Sequence, residues 1–429
     1  MPFDLTRGAP KRIAIVGGGI SGLASAWLLS GSHQVTLFEA EKRIGGHART
    51  VMAGRNGDLA VDTGFIVFNH VNYPHLTSLF RDLEVPIAKS DMGFGVSLDG
   101  GRVEYGLRTL NTIYAQRRNL LSPRFHGMIR DILKFHAEAE ACVENAPDMT
   151  ISGMVEALGL GAAFRDDYLY PFCCAIWSTP MEDIDRFPAQ ALVRFMGNHA
   201  LLSSRDQHQW WTVDGGSVAY VERLVAALLQ RGVTLRAGSP VQAVTRDEAG
   251  VTVRSLGGEP EDFDHVIMAT HSDQTLGMLA DADEAERSAL SAIRFQPNRI
   301  VLHRDPTVMP KRQSCWSSWI CQSEAGSGRE GMKVSYWMNQ LQNLPKDDPL
   351  FVTLNPDREF DERMVYDENW FDHPMFDHAA LEAQKRIREM QGNRNTWFAG
   401  AWLRNGFHED GFASAVRIAR RLLPAEVAI

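Results

Sequence analysis

A glycine-rich turn directly after a short apolar run constrains this chain more than any other feature. Residues 12–16 (RIAIV) are followed by GGGISG at 17–22, so a G-x-G-x-x-G pattern falls on Gly17, Gly19 and Gly22. The first glycine makes the tight turn, the second lets the backbone approach a pyrophosphate, and the third lets a helix pack on the strand. The pattern predicts a buried parallel strand followed by a helix whose N-terminus binds phosphate groups.

A second apolar run completes the unit. Residues 34–39 (QVTLFE) alternate like a strand and end in Glu39, which lies 22 residues after Gly17. A carboxylate at this position accepts hydrogen bonds from ribose hydroxyls in dinucleotide-binding βαβ units. The alternative is a structural glycine turn in an unrelated α/β protein. The fingerprint alone does not distinguish NAD from FAD.

The segments that follow favour FAD through a family resemblance. RIGGHART at 43–50 and VDTGF at 61–65 resemble the flavin amine oxidase and phytoene desaturase superfamily, whose members carry R-x-G-G-R-x-x-T and then D-x-G beside the flavin ring. Later segments resemble the same family in the same order: 211–216 (WTVDGG), 239–241 (SPV), 264–270 (DHVIMAT), 396–400 (TWFAG) and 411–415 (GFASA). The resemblance implies that the cofactor is FAD.

The resemblance also implies which residues contact FAD. They are Gly17, Gly19, Ser21, Gly22, Glu39, Ala40, Arg43, Gly45, Gly46, His47, Thr63, Gly64, Phe65, Val241, Gly400, Ala401, Gly411 and Phe412. Three positions depart from the family pattern: His47 and Glu41 stand where arginines are usual, and Ala401 stands where a polar residue is usual. We therefore expect FAD binding to depend more on backbone donors here.

The pattern of elements predicts an α/β fold with two domains, Rossmann-like and amine-oxidase-like. The FAD-binding domain is expected to be discontinuous, from 1–85, 205–285 and 390–429. A substrate domain with a mixed sheet and a helical cluster is expected from 86–204 and 286–389. Within the latter, GVSLDGGRVEY predicts a hairpin, and helices are expected to start at Ser122 and Thr150.

Composition narrows the possible partners. The 429 residues carry a net charge of -9, which disfavours a nucleic-acid-binding surface. Five cysteines without a C-x-x-C pair fit a reducing cytosol, and no histidine pattern predicts a metal site. The sequence predicts a cytoplasmic protein without a membrane span, and it allows peripheral contact with the inner membrane surface. The oligomeric state stays open.

Two groups of residues are candidates for the substrate side. Aromatic residues that could line a tunnel for an acyl or isoprenoid chain are Tyr168, Phe172, Trp177 and Trp337, although an ordinary core uses the same residues. Candidate catalytic residues are His408 and Glu409, which could accept a proton, and Arg299, the nearest basic residue where amine oxidases usually place a lysine. Capping of the last helix by Glu409 and a strand-edge charge at Arg299 are the alternatives.

These features support three hypotheses about function. The first is an FAD-dependent desaturase or dehydrogenase that acts on an apolar lipid. The segments GGHART, DTGFIV and GFHEDG look most like a bacterial subgroup associated with modified membrane fatty acids, including methylated precursors of furan fatty acids. The second is an amine oxidase that produces imine and hydrogen peroxide, and the third is a redox-neutral lipid isomerase or a non-catalytic lipid carrier that binds FAD.

Overall fold

The computed structural model describes residues 9–146, 148–177, 184–202, 208–248, 250–327 and 331–424, without the side chains of 175–177. The strands are β1 Arg12–Val16, β2 Gln34–Phe38, β3 Thr50–Ala53, β4 Leu59–Asp62, β5 Val67–Asn69, β6 Ile87–Ser90, β7 Phe94–Leu98, β8 Val103–Gly106, β9 Trp210–Val213, β10 Thr234–Arg236, β11 Val241–Arg246, β12 Val251–Ser255, β13 Glu261–Phe263, β14 His265–Met268, β15 Phe295–His303, β16 Trp319–Gln322, β17 Lys333–Trp337, β18 Phe351–Leu354, β19 Val365–Pro374 and β20 Thr396–Phe398. The helices are α1 Ile20–Leu29, α2 Pro74–Asp82, α3 Leu110–Ile113, α4 Pro123–Asn145, α5 Ile151–Ala157, α6 Ala162–Phe164, α7 Tyr170–Trp177, α8 Ala189–Asn198, α9 Val218–Gln230, α10 Ser272–Met278, α11 Glu284–Ser291, α12 Met338–Leu341, α13 His378–Glu389 and α14 His408–Leu422. Within the described ranges, no helix has both the length and the apolar character that crossing a bilayer requires.

A five-stranded parallel sheet with the order β10-β2-β1-β14-β20 contains the N-terminal βαβ unit. β1 is buried from Ile13 to Val16, because strands pair with it on both edges and helices cover its faces. The small residues of α1 let α14 pack closely, and a Cβ added at Gly411 would lie 2.8 Å from Ser21 Oγ. Because β1 and β2 are parallel, their carboxyl ends lie at the same edge of the sheet.

The second large sheet has seven strands in the order β19-β15-β18-β17-β16-β7-β8. β7 and β8 pair antiparallel, which confirms the hairpin predicted from the GVSLDGGRVEY segment. One face packs on the helices between 123 and 198, with Tyr105 and Val334 in the same core as Phe135 and Phe164. The predicted helix starts are also confirmed, because Ser122 and Thr150 cap α4 and α5 with side-chain hydrogen bonds.

The two large sheets take their strands from different parts of the chain. The parallel sheet uses residues within 12–38, 234–268 and 396–398, and the seven-stranded sheet uses residues within 94–106 and 295–374. Three smaller sheets, β11-β12-β13, β3-β4 and β5-β9-β6, accompany them. The expected domain boundary between 204 and 205 lies outside the described residues.

Candidate functional site

The glycine turn forms an open cradle at the N-terminus of α1. Gly17 has φ +111°, which favours glycine, and a Cβ at Gly22 would lie 1.9 Å from the carbonyl oxygen of Gly17. At Gly19 an added Cβ would meet nothing nearer than the Cα of Gly46, at 3.9 Å. Gly17 and Gly22 are therefore required by packing, whereas Gly19 faces a space that a phosphate group can enter.

Glu39 closes the side of this cradle. Its carboxylate accepts hydrogen bonds from the backbone N–H of Gly18 at 2.6 Å and of Glu41 at 2.8 Å. The backbone of 39–41 is also joined to the 238–241 loop, because Ser239 N donates to Glu39 O at 2.8 Å. Ala40 is exposed, and Val241 begins β11 at a register shift against β12. These contacts fix the edge where an adenosine would lie.

Arg43 holds the second glycine loop together from within. Its guanidinium donates to the carbonyl oxygens of Ala48 at 2.9 Å and Gly46 at 2.8 Å, and Gly45 N donates to Gly18 O at 2.9 Å. The guanidinium is thus engaged by the loop's own carbonyls. This chain brings the backbone of Gly45 and Gly46, rather than a cationic side chain, to the phosphate cradle.

Asp62 joins three distant segments of the chain. Its buried carboxylate accepts hydrogen bonds from Thr50 Oγ1 at 2.6 Å, from the N–H and hydroxyl of Ser217, and from Gln342 Nε2 at 2.9 Å. Burial raises the pKa of Asp62 to about 6, and the hydrogen bonds from Ser217 and Thr50 oppose that rise. Asp62 is the acidic residue of the D-x-G segment, but the sequence did not predict its partner Gln342, which lies 280 residues away.

Arg49 ties the same region to the seven-stranded sheet. It forms two parallel hydrogen bonds with the carboxylate of Asp367 on β19, at 2.6 and 2.9 Å, and it donates to Thr63 Oγ1 at 3.1 Å. Both side chains of the ion pair are 19% exposed. Gly64 and Phe65 pack closely against the backbone of His47. Phe65 N donates to His47 O at 2.9 Å, and a Cβ at Gly64 would lie 2.0 Å from that oxygen.

A stack of histidine and phenylalanine rings lies beside these loops. The His47 ring stacks on Phe371 with centroids 4.4 Å apart and lies 5.9 Å from His271 and 6.0 Å from His373. His271 stacks on Phe295 at 4.3 Å, and its buried Nδ1 has no hydrogen-bond partner in the described part of the chain. Burial lowers the pKa of His47 and of His271, and it lowers the pKa of His373 to about 4.

Burial therefore favours the neutral form of all three histidines. Sequence reasoning missed His271 and His373, although His271 directly follows the DHVIMAT segment. Across the described ranges, no three His, Cys, Asp or Glu side chains are arranged to hold a metal ion.

His408 and Glu409, near the end of the described chain, have hydrogen-bond partners that were not predicted. His408 stacks on Phe65 with centroids 4.0 Å apart and shares a hydrogen bond of 2.6 Å with the hydroxyl of Tyr220, and burial lowers its pKa to about 3. Glu409 accepts hydrogen bonds from the N–H groups of His75 and Leu76, so it caps α2 rather than the last helix. Burial raises the pKa of Glu409 to about 7.

The neighbouring glycines shape this end of the site. Gly400 N donates to Ser414 Oγ at 3.0 Å, and a Cβ at Gly411 would come within 3.7 Å of Ala401 N. Phe412 is buried, and its ring stacks on His75 at 5.9 Å.

Arg299 lies away from the histidine stack in a surface ion-pair cluster. Its guanidinium donates to both oxygens of Glu359, at 2.9 and 2.7 Å, and to both oxygens of Glu368, at 2.8 and 2.9 Å. Four of its five N–H groups are therefore engaged by carboxylates, as in a structural ion-pair cluster. Arg299 lies on β15, which is paired with β18 and β19 on its two sides, rather than on an edge strand of the sheet.

The structure separates the predicted substrate residues. Tyr168 and Phe172 are buried in the helical core, where Phe172 meets Phe94 edge to face at 5.4 Å. Trp337 lies on the opposite face of the seven-stranded sheet, against Trp316 and Phe351. Strand alternation explains the separation, because Trp337 follows Tyr336 and points the other way. The side chain of Trp177 lies outside the described residues.

An apolar face that the sequence did not predict lies opposite the 63–67 segment. Trp319 and Tyr336 are cross-strand partners with rings 5.2 Å apart, and they share a cluster with Ile66, Val67 and Phe371. The buried Trp319 Nε1 has no hydrogen-bond partner among the described residues, and the hydroxyl of Tyr366 in the same cluster has none either. Buried polar atoms usually have a hydrogen-bond partner, so these two atoms are candidates for contact with a bound group.

Comparisons with known proteins identify the family and the fold. The family model described as flavin containing amine oxidoreductase matches residues 20–423. An L-amino-acid oxidase of Sistrurus catenatus edwardsii is 57% identical over 42 residues, which are 10% of this chain and 8% of that protein. An L-amino-acid oxidase of Pseudechis australis is 47% identical over 49 residues, 11% of this chain and 10% of that protein. The match thus spans about a tenth of these relatives.

Three solved structures share the fold along nearly their whole length. Cyclohexylamine oxidase from Brevibacterium oxydans has a TM-score of 0.71 at 15% identity, covering 96% of this chain and 99% of its own. A putative protoporphyrinogen oxidase from Exiguobacterium sp. has 0.69 at 16%, covering 96% and 98%. A CLA-producing fatty acid isomerase from P. acnes has 0.68 at 17%, covering 96% and 99%. At these identities the likeness shows the fold alone.

The cofactor is FAD, and the residues present fit it. The open space at Gly19 and the uncapped N-terminus of α1 would hold the pyrophosphate, and Glu39 would hold the ribose. The backbone of Gly45 and Gly46 would complete the pyrophosphate cradle, and the backbone of 47 and 63–65 would hold the flavin end, near the unpartnered Trp319 Nε1 and Tyr366 hydroxyl.

Proposed function

The chain belongs to the flavin-containing amine oxidoreductase family, and we propose that it removes a hydride from a C–H bond of an apolar lipid. The substrate class we propose is a methyl-branched, unsaturated fatty acyl chain, which the reaction would desaturate. FAD, when bound, supplies the hydride acceptor. The residues of this chain have three tasks: to orient the acyl carbon, to exclude water and to accept a proton.

The observation that carries the proposal is the composition of the face opposite 63–67. Trp319, Tyr336 and Phe371 give it aromatic and apolar character, and the histidines beside it are neutral. In the described strands of the seven-stranded sheet the single lysine is Lys333, whose Nζ lies 4.0 Å from a carboxylate oxygen of Asp357. Such a surface favours an alkyl chain over a charged substrate.

A neutral histidine suits the proton-transfer step. Loss of hydride from an allylic carbon leaves positive charge, and loss of a proton from the neighbouring carbon then forms the new double bond. Of the three histidines in the stack, His271 has a buried, unpartnered Nδ1 within the described residues, and burial lowers its pKa. His408 is less suited, because its Nε2 already shares a hydrogen bond with Tyr220. We assign proton acceptance to His271.

Anaerobic mixing of the FAD-loaded protein with a methyl-branched monoenoic acyl substrate tests this proposal. We expect the flavin absorbance to bleach and the product to lack two hydrogen atoms. The His271→Asn variant should bleach more slowly, by roughly 10²-fold if the imidazole is the base. His265→Asn is a matched control, because His265 also has a buried, unpartnered Nδ1 but lies on β14. An unchanged flavin and an unchanged acyl chain would refute the proposal.

One observation supports each of two other functions, a fatty acid isomerase and an amine oxidase. A solved fatty acid isomerase shares the fold over 96% of this chain; an isomerase would return the hydride to another carbon and give a product of unchanged mass. Cyclohexylamine oxidase shares it as well; an amine oxidase would form hydrogen peroxide with amines. Product mass and a peroxide assay with polyamines and arylamines separate the three.

A further inference from the structure

One stretch of the chain is far more basic than the whole. Between residues 108 and 134 there are six Arg or Lys residues and one acidic residue, Asp131, although the full chain has a net charge of -9. Local positive charge on an acidic protein gives attraction to an anionic surface that total charge does not reveal. The stretch covers α3, the following turns and the first half of α4.

The same stretch exposes large apolar side chains. Leu110 is 77% exposed, Leu120 is 49% exposed and Leu121 is 89% exposed. A single exposed leucine is ordinary, but three within twelve residues beside clustered arginines are characteristic of an interaction surface.

Hydrogen bonds hold these residues on one platform. Arg117 donates to Asn111 Oδ1 at 2.6 Å and to Tyr114 O at 3.1 Å. His126 Nε2 lies 2.9 Å from Leu120 O, and its Nδ1 lies 3.3 Å from the Tyr114 hydroxyl. The chain from 110 to 126 therefore forms one folded unit, and its leucines lie beside its arginines.

Of the four arginines between residues 108 and 124, two pair with carboxylates and two do not within the described residues. Arg124 pairs with Asp167 at 2.8 Å and Arg108 pairs with Asp91 at 2.9 Å. Arg117 and Arg118 instead donate to uncharged oxygens, and in the described part of the chain no carboxylate pairs with either. Their guanidinium groups are exposed and keep further N–H donors free.

The inner side of the platform rests on the substrate domain. Ile113 and Tyr114 pack against the helical core, and Phe125 contacts both Tyr114 and Tyr105 edge to face. That core contains Tyr168 and Phe172. The platform is therefore continuous with the domain expected to receive an acyl chain.

We propose that the surface formed by Leu110, Arg117, Arg118, Leu120 and Leu121, the leucine–arginine face, docks on an anionic lipid bilayer. The leucines enter the boundary of the acyl chains and the two arginines pair with lipid phosphates. The inference deepens the proposed function and rests on it for the source of the substrate, which is acyl chains within a membrane. Charge complementarity and the exposure of all three leucines beside the arginines favour an anionic bilayer over a protein surface.

Flotation of the FAD-loaded protein with vesicles tests the docking. We expect binding to vesicles of phosphatidylcholine and phosphatidylglycerol in equal parts, and much weaker binding to pure phosphatidylcholine. Replacing both arginines (Arg117→Gln with Arg118→Gln) should weaken binding by about 30-fold, since each cation near an anionic surface contributes about a factor of five. Leu120→Ser with Leu121→Ser should weaken it at least ~10-fold.

Matched controls change the same chemistry elsewhere. Arg254→Gln with Arg287→Gln removes two exposed arginines, and Leu256→Ser removes a leucine that is 62% exposed; all three lie outside the leucine–arginine face. Equal loss in the control and test variants would overturn the proposal, as would absence of binding to anionic vesicles. If the protein forms a dimer that dissociates in the leucine variants, and if it does not bind vesicles, the face is a contact between copies, and the proposal is overturned as well.

Activity on dispersed substrate separates this inference from the proposed function. If the docking variants turn over detergent-dispersed acyl substrate at the normal rate but lose activity on vesicles, both proposals stand. If the protein binds anionic vesicles and oxidises no acyl substrate in either form, the docking surface stands and the proposed function fails.

Discussion

The two ends of the proposed cofactor site are built on different principles. At the pyrophosphate end, the turn at 17–22 and Glu39 lie within one βαβ unit. There, backbone N–H groups and the absence of glycine side chains form the binding space. At the flavin end, the site is assembled from His47, His271 and the 366–373 strand, and side chains define it. We therefore propose that the backbone of the first end holds the cofactor, and that the side chains of the second end decide which bond is oxidised.

The same contrast appears in how polar groups are satisfied. Glu39 and Arg43 have partners within their own loops. At the flavin end, His271 Nδ1, Trp319 Nε1 and the Tyr366 hydroxyl are buried without partners in the described residues. Because buried polar atoms usually have a partner, we infer that a bound group completes the second end. The following predictions test this difference.

Gly19→Asp should give the largest effect. The new carboxylate would enter the open space at the turn and repel the pyrophosphate, which we expect to weaken FAD binding by at least ~4 kcal/mol, about a thousandfold. The free energy of unfolding of the FAD-free protein should stay within about 0.5 kcal/mol, because no atom lies nearer than 3.9 Å to a Cβ at Gly19. FAD titration and urea unfolding measure the two quantities.

Gly22→Ala provides the contrast to that variant. Its Cβ would lie 1.9 Å from Gly17 O, so the FAD-free protein itself should lose about 2–3 kcal/mol of stability. If Gly19→Asp destabilised the FAD-free protein as strongly, the cradle would not be an open binding space.

Asp62→Asn should destabilise the protein by about 3 kcal/mol, because an amide cannot accept all the hydrogen bonds that Thr50, Ser217 and Gln342 donate. Chemical denaturation with bound FAD measures it, and Asp214→Asn, at an exposed site three residues before Ser217, is the control. A loss below 1 kcal/mol would mean that the three segments do not depend on this carboxylate.

Glu409→Gln should change the pH dependence of stability. The folded-state pKa of about 7 lies above the ordinary value of 4.5, so the protonated carboxyl stabilises the fold fully below about pH 4.5 and this contribution is lost as pH rises through 7. The stability of the wild type relative to the variant should fall over this range by up to about 3 kcal/mol. Thermal unfolding from pH 4.5 to 8 measures it, with the exposed Glu138→Gln as control. A difference that does not vary with pH would contradict the burial argument.

The Arg49–Asp367 pair should give the smallest effect. Its two hydrogen bonds lie between side chains that are each 19% exposed, so a double-mutant cycle with Arg49→Gln and Asp367→Asn should give a coupling of about 1–2 kcal/mol. The pair of Arg299 with Glu368, which is 43% exposed, should give less than about 1 kcal/mol. Equal couplings would remove the distinction between the site and the surface.

The sequence predicted features whose partners are close along the chain or follow a periodic pattern. The glycine turn, the hairpin of β7 and β8 and the capping serine of α4 belong to this group. The roles of Asp62 and Glu409 could not be read, because Gln342 and the N–H groups of α2 come from 280 and more than 330 residues away.

One miss had a readable signal. The period of two along β17 places Trp337 on the face opposite Tyr336, whose face packs on the core with Tyr168 and Phe172, so Trp337 could not line one tunnel with those two residues. The histidine stack had no such signal, since its three members meet only after the two large sheets come together.

Deuterium at the reacting allylic carbon of the acyl substrate tests the central claim most directly. With FAD-loaded protein and no oxygen, we predict that flavin bleaching slows several-fold relative to the undeuterated chain, because the C–H bond breaks in the step that reduces the flavin. Rapid bleaching by an amine, together with no bleaching by either acyl chain, would contradict the account.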